Sequence, residues 1–213
     1  MQQIELELAG GGVLTVSLRA SLDAMPAVKQ RPLVLVVPGG GYNHVSPREG
    51  DPVALQFAAA GYHTAVLRYA ALSAAVLDIP GETAQQRPNA VILGYPVITA
   101  GEFAHRGSFV QLAGSEDAAA QQAFTLEDKV TSDTPPVFVW HTMEDKTVPV
   151  ENTLLLLAAL RRAGVPCEAH LFEKGAHGTS ISTAEVDAAD PHRAHWVALC
   201  LEWLGETFGF KLS

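Results

Sequence analysis

Three short stretches hold residue types that could do chemistry. The first, Pro38-Gly39-Gly40-Gly41-Tyr42, directly follows an apolar run. Glycines there open backbone angles closed to other residues and let main-chain N–H groups approach a ligand. In acyl transfer such groups stabilise an oxyanion, although a triple glycine taken alone is more often a turn. No Lys-Ser/Thr follows, so a phosphate cradle is the poorer reading. The second stretch, His141 to Pro149, places Glu144 and Asp145 just past the apolar run Val137 to Trp140. A carboxylate on a loop at the carboxyl end of a parallel strand is well placed to orient a histidine; a lone one is usually a surface charge. The third, Lys174-Gly175-Ala176-His177-Gly178, sets a histidine among glycines. Backbone freedom and little steric cover suit a proton shuttle, and an ordinary loop histidine is the bland alternative.

Elements must hold these stretches in place. Ile4 to Leu8 and Val13 to Leu18 alternate about a glycine run and read as a hairpin. Leu33 to Val37 is continuously apolar, which suits a parallel strand covered on both faces. Pro52 to Ala60 reads as a helix with proline at its start and Gly61 at its end. Thr64 to Tyr69 and Ala90 to Leu93 read as strands, and Ser115 to Val130 as short helical pieces. Beyond them come the strand Pro136 to Trp140, the amphipathic helix Val150 to Ala163 stopped by Gly164, and the strand Cys167 to Phe172. The last helix runs from Pro191 to Leu204 and stops at Gly205, with Trp196, Leu199, Trp203 and Leu204 on one face. This order predicts one α/β domain over residues 1–213, a mostly parallel sheet with helices on both faces and an N-terminal antiparallel hairpin.

Strand, acidic loop, helix, strand and histidine loop reproduce the later part of the Ser…Asp…His order found on α/β-hydrolases. Pro38 to Tyr42 with Ser46-Pro47-Arg48-Glu49-Gly50-Asp51-Pro52 resembles the small acetyl esterases and acetylxylan-esterase-like carbohydrate esterases. So do Leu93-Gly94-Tyr95-Pro96-Val97-Ile98, Trp140 through Asp145 to Pro149, and Gly175-Ala176-His177-Gly178. The resemblance covers nearly the whole chain. It implies an α/β-hydrolase fold, Asp145 and His177 as acid and base of a triad, and Gly40 and Gly41 as oxyanion donors. Tyr42 and His141 become candidate pocket walls, and Arg48 with Glu49 a site-shaping pair.

The departure from the family is as specific as the match. The family carries a helix, a central strand, a Gly-x-Ser-x-Gly elbow and a second helix between the strands that here end at Tyr69 and begin at Ala90. Only Ala70 to Asn89 lies between them, and no Gly-x-Ser-x-Gly occurs anywhere. Ser73, in Ala71-Leu72-Ser73-Ala74-Ala75, is the nearest imitation. Ala70 to Leu77 resembles the helix that follows an elbow, which makes Ser73 a helix residue and not the nucleophile, and sets an apparent deletion near residues 69–70. Removing a central strand would leave buried N–H and C=O groups unpaired at about 1–3 kcal/mol each, against a total domain stability of about 5–15 kcal/mol. Another segment, a second chain, or residues beyond this sequence must take that place.

Composition bounds the rest. The chain has 213 residues, 48% hydrophobic, with formal net charge −9. That balance argues against nucleic acid and anionic membranes, which need basic patches, and leaves neutral ligands or neutral carbohydrate open; the resemblance implies a small acylated substrate such as an acetylated sugar. No apolar run reaches membrane-spanning length, and the start lacks a basic, then apolar leader; the cytoplasm is the expected location. Cys167 and Cys200 read as reduced core thiols. His105, His170, His192 and His195 show no metal spacing, so neither metal nor cofactor is implied. A homo-oligomer is compatible with these features. The reading is a serine-type acetyl esterase whose serine is not identifiable; the alternative is a catalytically inactive relative that binds acylated sugars or a protein partner. A peptidase or dienelactone-type hydrolase is a third reading that fold alone leaves open.

Overall fold

Glycine at the first reversal lets the chain fold back on itself: Gly11 and Gly12 both take positive φ, 82° and 100°, a region closed to most side chains. They join β1 (Gln2–Glu7) to β2 (Gly12–Leu18), which pair antiparallel. The computed structural model describes residues 1–8, 11–21, 24–69 and 87–212. These fall into two compact units, one drawn from Met1–Ser73 with Gly178–Ser213 and the other from Ala74–His177. Ser73, and the deletion expected near residues 69–70, lie at residue 70 and beyond, outside the described residues.

In the first unit β2 pairs antiparallel with β4 (His63–Tyr69), and β4 pairs parallel with β3 (Leu33–Val36). The sheet order is therefore β1-β2-β4-β3. Helix α1 (Asp51–Ala59) joins β3 to β4 and carries Pro52 in its first turn, where the missing N–H costs nothing. Its Ala54 packs with Val36 and Val66. The expectation that Leu33 to Val37 is covered on both faces is corrected. Leu33, Leu35 and Val37 are 52, 51 and 57% exposed, while Val36 is buried. Side chains alternate across a strand, so Val34 and Val36 meet α1, and no helix among the described residues of this unit covers the other face. Among the described residues β3 pairs only with β4.

The C-terminal helix also differs from expectation. It is two helices, α5 (Pro191–Ala194) and α6 (Trp196–Phe208), divided at His195; numbering in chain order leaves α2 to α4 for the second unit. The second helix runs through Gly205 and ends at Gly209, which takes the left-handed conformation. Gly205 lies within the helix, with the Lys211 stem so close that a Cβ would meet it at 2.7 Å. Trp196, Trp203 and Leu204 are buried as the spacing predicts.

The second unit is an all-parallel sheet, β5 (Val91–Gly94), β6 (Val137–Thr142) and β7 (Cys167–Phe172), with β6 in the middle. Every residue of β6 is buried, which explains its continuous apolar sequence. Helices α2 (Arg106–Ala113) and α3 (Ala118–Gln122) follow β5; α3 falls within the region expected to be helical, Ser115 to Val130, while α2 lies wholly before it. Helix α4 (Glu151–Ala163) connects β6 to β7 and is capped by Gly164 in the left-handed region. Ile98, Val137, Val139, Leu156, Leu160 and Val165 form the core between sheet and helix. Asn152 of α4 is fully buried. Its Oδ1 accepts the Ile98 and Thr99 N–H groups at 2.9 and 3.0 Å, and its Nδ2 donates to Phe103 and Pro149 carbonyls. Both cysteines are free thiols, but Cys167 is exposed, not a core residue: its side chain shares the exposed face of β7 with Ala169 and Leu171. No helix among the described residues is long and apolar enough to cross a membrane.

Candidate active site

The stretch after β6 turns sharply so that Asp145 points back into the protein. Its side chain has no exposed surface, and its carboxylate is held from both ends. Oδ1 accepts the Thr147 and Val148 N–H groups, each at 2.9 Å. Oδ2 accepts from His177 Nδ1 at 2.7 Å and faces His141 Nε2 at 3.3 Å. Burial alone would raise the Asp145 pKa. The hydrogen bonds from His141, His177 and the Val148 amide, with the attraction of His177, outweigh it and hold the carboxyl well below the usual carboxylate range. The side chain is therefore an anion that accepts only, and it fixes the hydrogen of His177 on Nδ1. Nε2 of that ring is left to take up a proton, the arrangement a general base needs.

Two short contacts align the histidine loop with the acidic loop. Thr142 Oγ1 donates to the Gly175 carbonyl at 2.7 Å, and the Gly175 N–H donates to Glu144 Oε2 at 3.3 Å. Glu144 thus turns away from His177. Gly175 has φ 137°, open to glycine and strained for other residues. The His177 side chain is 30% exposed, so one end of the ring is reachable. Tyr95 stands edge-on to it, ring centroids 4.8 Å apart, and edge-on to Trp140 at 4.9 Å. Tyr95 itself has φ 39°, and its N–H donates to the Trp140 carbonyl. A non-glycine residue keeps such a backbone only where its surroundings fix it.

Sequence reasoning missed Tyr95 as a site residue, although Gly94-Tyr95-Pro96 at the end of a buried strand was its signal. It also passed over His105, which is bonded through Nδ1 to Ser108 Oγ at 2.8 Å. Burial and the neighbouring His177 lower the His105 pKa, and Asp145 pulls the other way. His141 is corrected as a pocket wall. It is wholly buried, since β6 runs through the centre of its sheet and the ring lies behind the carboxylate.

In the first unit the glycine loop has a defined shape. Gly40 and Gly41 take φ 137° and 61°, and a Cβ on Gly40 would lie 2.0 Å from the His44 carbonyl oxygen. The loop's carbonyls turn inward: Gly40 accepts from Asn43 and His44 N–H, Gly39 from Ser46 N–H, and Pro38 from the Tyr69 hydroxyl. The Gly39 N–H donates to Glu49 Oε2 at 2.9 Å. The Gly40 and Gly41 N–H groups make no hydrogen bond among the described residues. Arg48 and Glu49 form a short 3₁₀ turn, Pro47–Glu49, whose Arg48 carbonyl accepts the Ser180 hydroxyl at 2.5 Å. Tyr42 follows with φ 62°, and burial raises its phenol pKa. Ser73 lies outside the described residues.

The chain is similar to known proteins in ways that bear on this geometry. The sequence profile of the prolyl oligopeptidase family matches residues 88–210. Endo-1,4-beta-xylanase B of Butyrivibrio fibrisolvens is 42% identical over 100 residues, 46% of this chain and 16% of that protein. An acetylxylan esterase of Xylanibacter ruminicola is 33% identical over 103 residues, 46% of this chain and 22% of that protein. The matched stretch thus spans less than a quarter of either relative. The crystal structure of an acetyl ester-xyloside bifunctional hydrolase from Caldicellulosiruptor lactoaceticus superposes with a TM-score of 0.77 at 29% identity. That match covers 94% of this chain and 89% of the other. The fold is that of the α/β-hydrolases.

Proposed function

The chain belongs to the prolyl oligopeptidase family of α/β-hydrolases, and from that premise we propose that it hydrolyses short acyl esters of sugars or simple alcohols. The observation that carries the reading is the 2.7 Å bond between His177 Nδ1 and a fully buried Asp145 carboxylate. A serine hydroxyl attacks the ester carbonyl while His177 Nε2 takes its proton. The imidazolium then returns that proton to the leaving alcohol, and the acyl-serine is hydrolysed by the same steps with water as nucleophile. Asp145 keeps the imidazole in the required tautomer and stabilises its cation. Gly40 and Gly41 serve as N–H donors to the oxyanion; their unengaged amides support that role.

The similarity to an acetylxylan esterase and to an acetyl ester-xyloside hydrolase supports acetylated xylose units as the substrate class. No Gly-x-Ser-x-Gly occurs in the sequence, and that observation favours the second reading, a non-catalytic binding protein. Hydrolysis of p-nitrophenyl acetate separates them. Esterase action gives turnover that falls to background in His177→Ala. A folded protein with no turnover is the outcome the second reading expects, and turnover untouched by that substitution refutes the role of His177 as the base.

A further inference from the structure

His141 is a buried polar group against the Asp145 carboxylate that the proposed chemistry does not use. It has no exposed surface, and a ring placed there must have both nitrogens bonded, because an unsatisfied buried polar group costs on the order of 1–3 kcal/mol. Nε2 lies 3.0 Å from the Val148 carbonyl and 3.3 Å from Asp145 Oδ2. Both oxygens only accept, so Nε2 carries a hydrogen and shares it between them. Nδ1 lies 2.7 Å from the hydroxyl of Thr153, itself fully buried in the first turn of α4. With the Thr153 hydroxyl donating, the neutral Nε2–H ring has every polar atom satisfied. The Val148 carbonyl and Asp145 thus set the Nε2–H tautomer, and the Thr153 hydroxyl supports it by donating to Nδ1.

The consequence lies in how the carboxylate is held. Two backbone amides hold Oδ1, but without His141 the direction of Oδ2 would rest on His177 alone, a partly exposed ring on a loop. A second donor to Oδ2, from a wholly buried ring, restrains the carboxylate and with it the plane and tautomer of His177. We propose that His141 and Thr153 form a positioning pair that orients Asp145 toward His177 from within the sheet, in the way outer-shell partners orient first-contact groups. This rests on the reading of Asp145 and His177 as acid and base.

The test uses the whole chain and reads geometry separately from turnover. Long-range ¹H–¹⁵N imidazole spectra are recorded on the wild type, Thr153→Val, Thr153→Ser, His141→Gln and His141→Phe, with circular dichroism to confirm folding. In the wild type His141 shows the neutral Nε2–H pattern, and His177 shows a hydrogen-bonded Nδ1–H signal. Thr153→Val and His141→Phe weaken or broaden that His177 signal and lower kcat about 10- to 100-fold with little change in KM. Thr153→Ser restores both, and so does His141→Gln, whose amide donates in place of Nε2. The proposal is overturned if His141 carries its hydrogen on Nδ1 alone, or if Thr153→Val folds and leaves the His177 signal at wild-type sharpness. It also falls if the serine and glutamine variants behave like the valine and phenylalanine ones. Should the protein prove inactive on esters, the spectra still decide whether the pair positions the carboxylate, so the two readings fail separately.

Discussion

Replacing Asp145 with asparagine changes one atom and reverses one hydrogen-bonding face. The carboxylate accepts from two backbone amides on Oδ1 and from two imidazoles on Oδ2. Asparagine has one oxygen and one NH₂ group, and the oxygen must stay with the backbone amides, whose positions the turn fixes. The NH₂ group then faces His177 and His141. Hydrogen bonds to a charged group contribute about 1.5–3 kcal/mol each. The His141 contact is shared with Val148, and His177 can turn to water, so the loss comes to about 2–3 kcal/mol. The effect on rate is larger. An amide N–H against Nδ1 drives the hydrogen of His177 to Nε2, the wrong tautomer for accepting the serine proton, which lowers kcat by about 10⁴-fold in serine triads. KM changes little.

The stability effect has a definite pH dependence. The folded-state pKa of Asp145 is depressed, so its contribution is fully present above the unfolded value, about 3.9, and fades as pH falls below that through the folded value. Urea denaturation at neutral pH should show the 2–3 kcal/mol gap between wild type and Asp145→Asn, and the gap should narrow progressively below about pH 4. A variant that retains activity within about 10-fold of wild type, or a gap that widens on acidification, refutes the assignment of Asp145.

Other substitutions probe the supports. Gly40→Ala places a Cβ 2.0 Å from the His44 carbonyl oxygen at φ 137°; esterase kcat should fall about 10²- to 10³-fold, the effect of losing an oxyanion donor, with a lower melting temperature. Asn152→Ala strips the partners from Ile98, Thr99, Phe103 and Pro149, and should cost about 3–4 kcal/mol by urea denaturation.

The motifs legible in the sequence were those in which a loop sits at the end of a strand. His141 to Pro149 after β6, and Gly175 to Gly178 after β7, were placed by periodicity and glycine alone, and the structure brings Asp145 and His177 together there. What a side chain meets across the sheet was harder to read. His141 follows an apolar run, and nothing local distinguishes a histidine facing solvent from one bonded to Thr153 on a later helix. Tyr95 depends on a positive φ that no residue type announces. Gly205 reads as a helix stop because glycine commonly ends helices, yet the helix continues to Phe208 and it is Gly209 that takes the left-handed conformation. The exposed face of β3 carries leucines whose sequence implied cover, since an apolar run specifies the need for a neighbour without supplying one.

Mass spectrometry of the intact chain after reaction with a fluorophosphonate tests the central claim most directly. Such a reagent phosphonylates a serine only where a base activates its hydroxyl. The account predicts a single adduct per chain, mapped by peptide digestion to one serine and absent in His177→Ala. A folded chain that takes up no label, or one labelled equally in His177→Ala, contradicts it.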